Sequence, residues 1–361
     1  MLINLIANHF EQNKIHLNLS SSYRLEKEII ERFPNEKMEY YRNGKRGRIY
    51  NKGINIRTGL NKALGSSPTP SKHTRCEKIS KGRKLFVPES NADDCIKSLK
   101  FDNLTAEQFD NYWMACAQHR LHTIQNANST SEIFEQWEHY KGPLGHRLIN
   151  MDFGAMFDTT YSLLDNFNQY FPHILEFLNI EKKVKEREMI KLLESLRLED
   201  FNENTRNVVI LHCLHGYLIP TQKAVVKEKT GKNSTLKYTI KDSQEAFLFI
   251  AKSPQEVEDH LLHLQQRSGA IQPFVIAVGE GITECKDFFV YFDGVKFQFK
   301  SLIRAVDICF KTFHLFNLHY PIACSSFWTF IQLFFYKITP TSSNPRIQIL
   351  IDFLKKKKNC E

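Results

Sequence analysis

Apolar positions crowd most densely between Ser301 and Ile338, in SLIRAVDICFKTFHLFNLHYPIACSSFWTFIQLFFYKI, which carries two helical patterns broken at Tyr320-Pro321. A hydrophobic face of that size needs a partner surface, so the stretch predicts helices that cover a core. The segment before it supplies what they cover. FLFIA from Phe247 reads as a buried strand, and PQEVEDHLLHLQQR after Ser253 as an amphipathic helix with Val257, Leu261 and Leu264 inward. QPFVIAVGE reads as a second buried strand, and KDFFVYFDGVKFQFK as a hairpin. Asp293-Gly294 suits a type I′ turn, and Val295, Phe297 and Phe299 alternate with Lys296, Gln298 and Lys300, one face in and one out. Strand, crossover helix, strand and hairpin make a mixed sheet of about four strands over residues 239–338.

Ahead of this α/β domain the patterning is helical. Residues 1–22 show no sustained period and read as a flexible arm. From Tyr23, YRLEKEIIERF puts Leu25, Ile29 and Phe33 on one face of a short helix that Pro34 ends. A glycine-interrupted stretch follows, with Ile49, Ile56 and Leu60 as contacts, so 23–64 reads as a basic helical module. Residues 65–92 are rich in Ser, Pro and Lys and read as a disordered linker. Residues 93–238 form a helical region. Its best element is LTAEQFDNYWMACAQHRLHTI, with Thr105 at the N-cap and Gln108 in capping-box position. SEIFEQWEHY from Ser131 is a further helix, stopped by Gly142-Pro143. NVVILHCLHGYLI from Asn207 is a buried strand or a buried helix, and a Lys-rich loop follows it. Residues 339–361 read as a basic tail in which RIQILIDFL is a frayed helix ahead of Lys355–Lys358. The fold class is α+β: helical N-terminal and middle regions, and a C-terminal mixed four-stranded sheet packed by helices.

Charge adds one feature to this picture. From Arg24 to Lys84 there are 17 Lys and Arg against 6 acids, a net of +11, whereas the whole chain carries +9. The basicity therefore belongs to one segment, and it implies an acidic partner, protein or nucleic acid. The segment's centre holds Arg42, Lys45, Arg46, Arg48, Lys52 and Arg57 near Tyr40, Tyr41 and Tyr50. Clustered cations with aromatics suit phosphates and bases; a solvated face plus linker is what such basic stretches more often are, and no nucleic-acid motif accompanies the charge. The runs Lys81–Lys84 and Lys355–Lys358 are of the kind that serve nuclear import or form a basic surface tail.

A chain of 361 residues buries a sizeable core without staples. Its eight cysteines lack CxxC spacing and several sit in apolar patterns, which fits reduced intracellular thiols. The N-terminal MLINLIANHF lacks the layout of a secretion signal. The uncharged stretch from Pro321 to Tyr336 is 16 residues, short of the roughly 20 that a bilayer requires. The expected placement is intracellular, cytoplasmic or nuclear, with no membrane segment.

Residues for chemistry are sparse. His212, Cys213 and His215 lack the second ligand pair of a structural zinc site and sit in an apolar run. His119 and His122 have no carboxylate or Cys partner at set spacing and read as surface histidines. No GxSxG, GxGxxG or Walker pattern is present. Glu284-Cys285-Lys286 has the Glu-x-Lys spelling of restriction-endonuclease-like nucleases, but it falls in a turn with no evident Asp partner, and topology alone is analogy. No catalytic, cofactor-binding or metal-binding residue is assigned, and no cofactor is implied.

Three passages carry a resemblance: ERFPNE from Glu31 with GKRGRIYNKGINIRTGL after it, WEHYKGPLGHRLINMDF from Trp137, and AVDICFKTFHLFNLHYP with WTFIQLFFYKI from Ala305. In order and spacing the chain resembles the region beyond the SAM domain in animal sterile alpha motif domain-containing protein 3-like proteins. The resemblance covers most of residues 23–338, and its last passage is the most specific. No SAM domain is recognisable in this sequence, so SAM-mediated self-association does not carry over. The resemblance implies intracellular placement and this domain order, and brings no activity or catalytic residues. The expected function is a non-enzymatic interaction or scaffold protein meeting a protein partner with an acidic surface. The alternatives are a nucleic-acid-binding factor working through the basic residues of 42–62 and, more distantly, a metal-dependent nuclease.

Overall fold

The computed structural model describes residues 2–12, 19–42, 47–52, 80–81, 84, 86–87, 92–157, 161–180, 183–227, 233–268, 271–340 and 344–358. The chain forms two compact units, Met1–Pro70 and Ser71–Glu361.

The first unit contains α1 (Leu2–Gln12), α2 (Leu19–Arg32), α3 (Met38–Tyr41) and α4 (residues 48–52). In the stretch read as a flexible arm, α1 is a regular helix. Its Ile3, Ile6 and Phe10, three and four residues apart, form one apolar stripe against Ile29, Tyr41 and Ile49. The inward residues of α2 are Ser22, Glu26 and Ile29. Phe33, expected on that face, is 54% exposed, because the residue before Pro34 is pushed out of the helical region and the helix has already ended.

The second unit begins in the described residues with β1 (Ser80–Lys81), followed by α5 (Ala92–Phe101), α6 (Ala106–Ala115), α7 (Ala117–Asn126), α8 (Thr130–Gln136), α9 (Gly145–Met156), α10 (Leu163–Asn179), α11 (Arg187–Leu198) and α12 (Glu203–Tyr217). Most of the expected linker 65–92 lies outside the described residues. The Thr105–Gln108 capping box forms at the start of α6. The single helix expected after it is two helices, bent at Cys116. The carbonyl of Trp113 there accepts the buried guanidinium of Arg120 at 2.7 Å, an acceptor that competes with the continuing helical turn. The undecided run after Asn207 is helical. It is buried on every side, which is why periodicity gave no preference.

Then come β2 (Lys223–Lys227) and β3 (Asn233–Lys237), an antiparallel hairpin where a loop was expected. α13 (Ile240–Phe247), β4 (Leu248–Ala251), α14 (Pro254–Ser268), β5 (Phe274–Val278), β6 (Asp287–Phe292) and β7 (Val295–Phe299) follow. The sheet order is β4-β5-β6-β7, with β4 and β5 parallel and the other pairs antiparallel, the mixed four-stranded sheet that the patterning predicts. Asp293 (φ 47°) and Gly294 (φ 85°) make its hairpin turn with both residues left-handed. Val257 and Leu261 of α14 cover one face, over Ala251, Phe274 and Ile276.

The opposite face meets α15 (Leu302–Leu315), of which every residue except Arg304 is buried. α15 touches β5, β6 and β7 on one side and α9, α10 and α12 on the other. It ends where Asn317 turns left-handed at φ 54° and the Leu318 N–H returns to Phe313 O at 2.8 Å, a cap that stops the helix ahead of Pro321. α16 (Ser325–Phe334), β8 (Thr339–Pro340, paired with β1) and α17 (Pro345–Lys358) complete the unit. The helix in the expected frayed tail, α17, is well packed: Ile347, Leu350, Ile351 and Leu354 are buried. One apolar core runs through α5–α13, the sheet and α15–α17, so the boundary expected between residues 238 and 239 is crossed by shared packing.

A helix buried all round must pair its polar side chains internally. Lys311 Nζ donates to Asp307 Oδ2 at 2.6 Å and to Asn150 Oδ1 of α9 at 2.7 Å, and the Tyr336 hydroxyl donates to the other Asp307 oxygen. Lys311→Met would leave Asp307 in the core without its cation, and is expected to cost about 3–5 kcal/mol of unfolding free energy. Adding Asp307→Leu should recover most of that loss. Urea unfolding followed by tryptophan fluorescence reads both, since all three tryptophans lie in this unit; additive losses in the double variant would contradict the pairing.

Candidate functional site

The basic segment is organised by an acid. Glu26 lies on the inner face of α2 with its side chain wholly buried. Ser22 Oγ donates to its Oε1 at 3.2 Å, and Arg42 Nε donates to its Oε2 at 2.7 Å. The Arg42 guanidinium also lies over the Tyr23 ring at 4.7 Å, with Lys27 Nζ 4.9 Å from the same ring. The backbones of Arg42 and Gly47 form an antiparallel bridge. Gly47 sits so close to the acid that a Cβ there would stand 1.7 Å from Glu26 Oε1. The Arg42–Glu26 bond and the Arg42–Gly47 bridge therefore hold the two residues that flank positions 43–46. α4 starts one residue later, with Arg48 exposed, Ile49 buried and Lys52 half-buried.

The six sequence-predicted residues thus separate into different roles. Arg42 is committed inward to Glu26. Arg48 is on the surface beside the bridge, and Lys52 is at its margin. Lys45, Arg46 and Arg57 lie outside the described residues. Tyr40 is half-exposed, whereas Tyr41 is buried in the unit's small core. Glu26 and Gly47 are the residues that sequence reasoning missed. Ser22, Glu26 and Ile29 follow helical spacing, so an acid inside an apolar stripe was a usable signal. Nothing in the sequence marks Gly47 among its neighbouring glycines.

The other candidates for chemistry take structural positions. His215 is buried in α12, where its Nδ1 lies 2.7 Å from Ser243 Oγ and its ring stacks on Phe327. Burial drives its pKa well below the usual value, with His212 adding to the effect. Burial likewise lowers His212 to about 4 and raises the Cys213 thiol to about 12. His119 and His122 are half-buried on α7. Glu284 and Lys286 are exposed in the turn before β6, with Cys285 buried between them. Among the described residues no group of three or more His, Cys, Asp or Glu side chains is placed to hold a metal ion.

Fold and site together define an α+β chain with a small basic helical unit built on a buried glutamate. Residues 1–61 match a family model described as Domain of unknown function (DUF4769). That match takes in α1 to α4 and all six basic positions. No curated protein and no solved structure matches the chain. Nothing in these comparisons connects it with the sterile alpha motif domain-containing protein 3-like proteins.

Two outcomes follow from this packing. Gly47→Ala forces a methyl group against the Glu26 carboxylate and is expected to destabilise the first unit by about 1–3 kcal/mol. Hydrogen exchange should then rise across α2 and α4 and not in α15; unchanged protection in α2 would show that the close approach is not required. The second outcome concerns acid. Burial lowers His260, stacked on Phe249, to about 4, as it does His212. Between pH 6.5 and 4 the unfolded chain takes up protons at these sites and the folded chain does not, so stability falls as pH drops through that window. His212→Gln should make the fall shallower in thermal melts; a slope equal to wild type would remove His212 from the account.

Proposed function

We propose that this chain is a non-enzymatic intracellular interaction protein whose basic N-terminal unit docks a protein partner with an acidic surface. The observation that carries the reading is the Glu26 clamp. It neutralises Arg42 internally and, through the bridge between Arg42 and Gly47, holds the residues that flank positions 43–46, so Arg48 has a set place at the start of α4. A cation already held in place meets an acidic surface with less ordering entropy to lose than a floppy one. Such charge complementarity sets encounter rate and specificity more than raw affinity.

The six cysteines among the described residues are free thiols, which supports a reducing compartment. Among those residues no helix is long and apolar enough to cross a membrane. The likeness of the passages from Glu31, Trp137 and Ala305 to the post-SAM region of sterile alpha motif domain-containing protein 3-like proteins supports kinship with that group, and adds no mechanism.

The test compares binding of the full chain to labelled polyglutamate and to labelled duplex DNA, from low to physiological salt. The reading expects polyglutamate binding that falls at least about tenfold when Lys45, Arg46 and Arg48 become Ala, a loss matching charge-assisted contacts of about 1.5–3 kcal/mol. Tighter binding to DNA, with a steep salt slope removed by the same substitutions, would replace it with the nucleic-acid reading. No binding to either at low salt overturns both.

A further inference from the structure

We propose that Lys337, Lys355 and Lys358 form a binding site for a ligand carrying clustered phosphate groups. The site lies wholly in the second unit and is independent of the basic N-terminal residues. Lys337 follows α16 with φ 56°, a left-handed conformation that glycine adopts freely and a lysine does not. Its Nζ donates to Phe334 O at 2.5 Å and lies 4.7 Å over the Phe334 ring and 5.6 Å over the Tyr161 ring. Phe334 meets Tyr170 edge-on with centroids 4.7 Å apart, and Lys358 Nζ lies 5.4 Å over Tyr170. Two lysines from different elements therefore lie over the two rings of one edge-to-face pair. Lys355, three residues before Lys358 on α17, is exposed beside them.

Lysines in the last turn of a helix complement its dipole, which accounts for Lys355–Lys358 by themselves. It does not account for Lys337, which reaches the same place from a different segment in an unfavoured backbone conformation. The neighbouring Lys357 is paired with Glu176 at 2.5 Å, whereas among the described residues none of the three makes an ion pair. Lys358 reaches only the amide oxygen of Gln169, at 3.5 Å. One turn before Gln169, the Asp165 carboxylate is engaged by Ser162 Oγ at 2.6 Å. Burial lowers Lys337 below the ordinary lysine range, and the charges of Lys355 and Lys358 press it the same way. Like charges gathered without a counterion are relieved by a bound anion. Each ammonium offers three donors, and a phosphate group carries up to two charges on adjacent oxygens, a density that carboxylates spaced along a peptide do not reach. The source is either a free polyphosphate or a phosphorylated lipid headgroup.

Calorimetric titration of the full chain with inorganic triphosphate at low ionic strength is expected to show one saturable site. Lys337→Gly should weaken it at least about tenfold while relieving the backbone, so loss of binding cannot be ascribed to unfolding. Lys355→Ala with Lys358→Ala should act in the same direction. Lys356→Ala, turned away from Lys358 around the helix, should leave affinity unchanged, as should alanines at Lys45, Arg46 and Arg48, which test the other proposal. Co-sedimentation of wild type but not Lys337→Gly with vesicles containing phosphatidylinositol bisphosphate would identify a lipid headgroup; triphosphate binding without co-sedimentation would identify a free ligand. The inference is overturned by absent triphosphate binding, by an equal loss in Lys356→Ala, or by polyglutamate binding as tightly with the same dependence on Lys337.

Discussion

The second unit depends on the burial of α15, from which only Arg304 escapes to water. That helix lies between the sheet and the helical layer. Its buried Asp307 and Lys311 are accommodated by meeting each other, Asn150 and Tyr336. The network adds little net energy by itself, since desolvation offsets much of the attraction. What it adds is register. The lysine ties α15 to α9, and the aspartate ties it to the corner after α16, so three elements are held in one alignment.

The same arrangement recurs twice. In the helical layer Arg120 and Asp152 are wholly buried and joined through two hydrogen bonds, at 3.1 and 2.5 Å. Tyr140 donates to the same carboxylate and the Trp113 ring lies 3.8 Å under the guanidinium. That pair bends α6 from α7 and fixes both against α9. In the first unit Glu26 holds Arg42 to α2 as Asp307 holds Tyr336 to α15. Each buried acid joins segments distant in sequence, which apolar contacts alone would align less uniquely.

The first unit applies the same physics to its basic segment. A basic segment rich in glycine has many conformations, and its cations would be spread among them. With Arg42 turned inward and Gly47 pressed on the same carboxylate, the segment between them has fixed ends, and Arg48 has a fixed place on α4. The lysines around Phe334 and Tyr170 are ordered differently, by an edge-to-face ring pair and a left-handed turn. Two basic surfaces of one chain thus arise from unrelated local physics.

The sequence by itself determined the local elements. The alternation in Val295–Phe299, the Asp293-Gly294 turn, the Thr105–Gln108 cap and the Pro34 stop are short-range constraints, legible wherever one face is wet and the other dry. It also located the basic segment. It failed where burial was uniform or contacts were distant. α12, buried on all sides, has no polar face to reveal its period. The bend at Cys116 needs Arg120 and Asp152 brought together across 32 positions. The hairpin of β2 and β3 looked like a loop because lysines dominate it. Of the six basic residues singled out, only the fold distinguishes Arg42, which faces a buried acid, from Arg48, which faces water. Charge and spacing are properties of the chain, whereas which charge is compensated depends on what folding brings within about 3 Å of it.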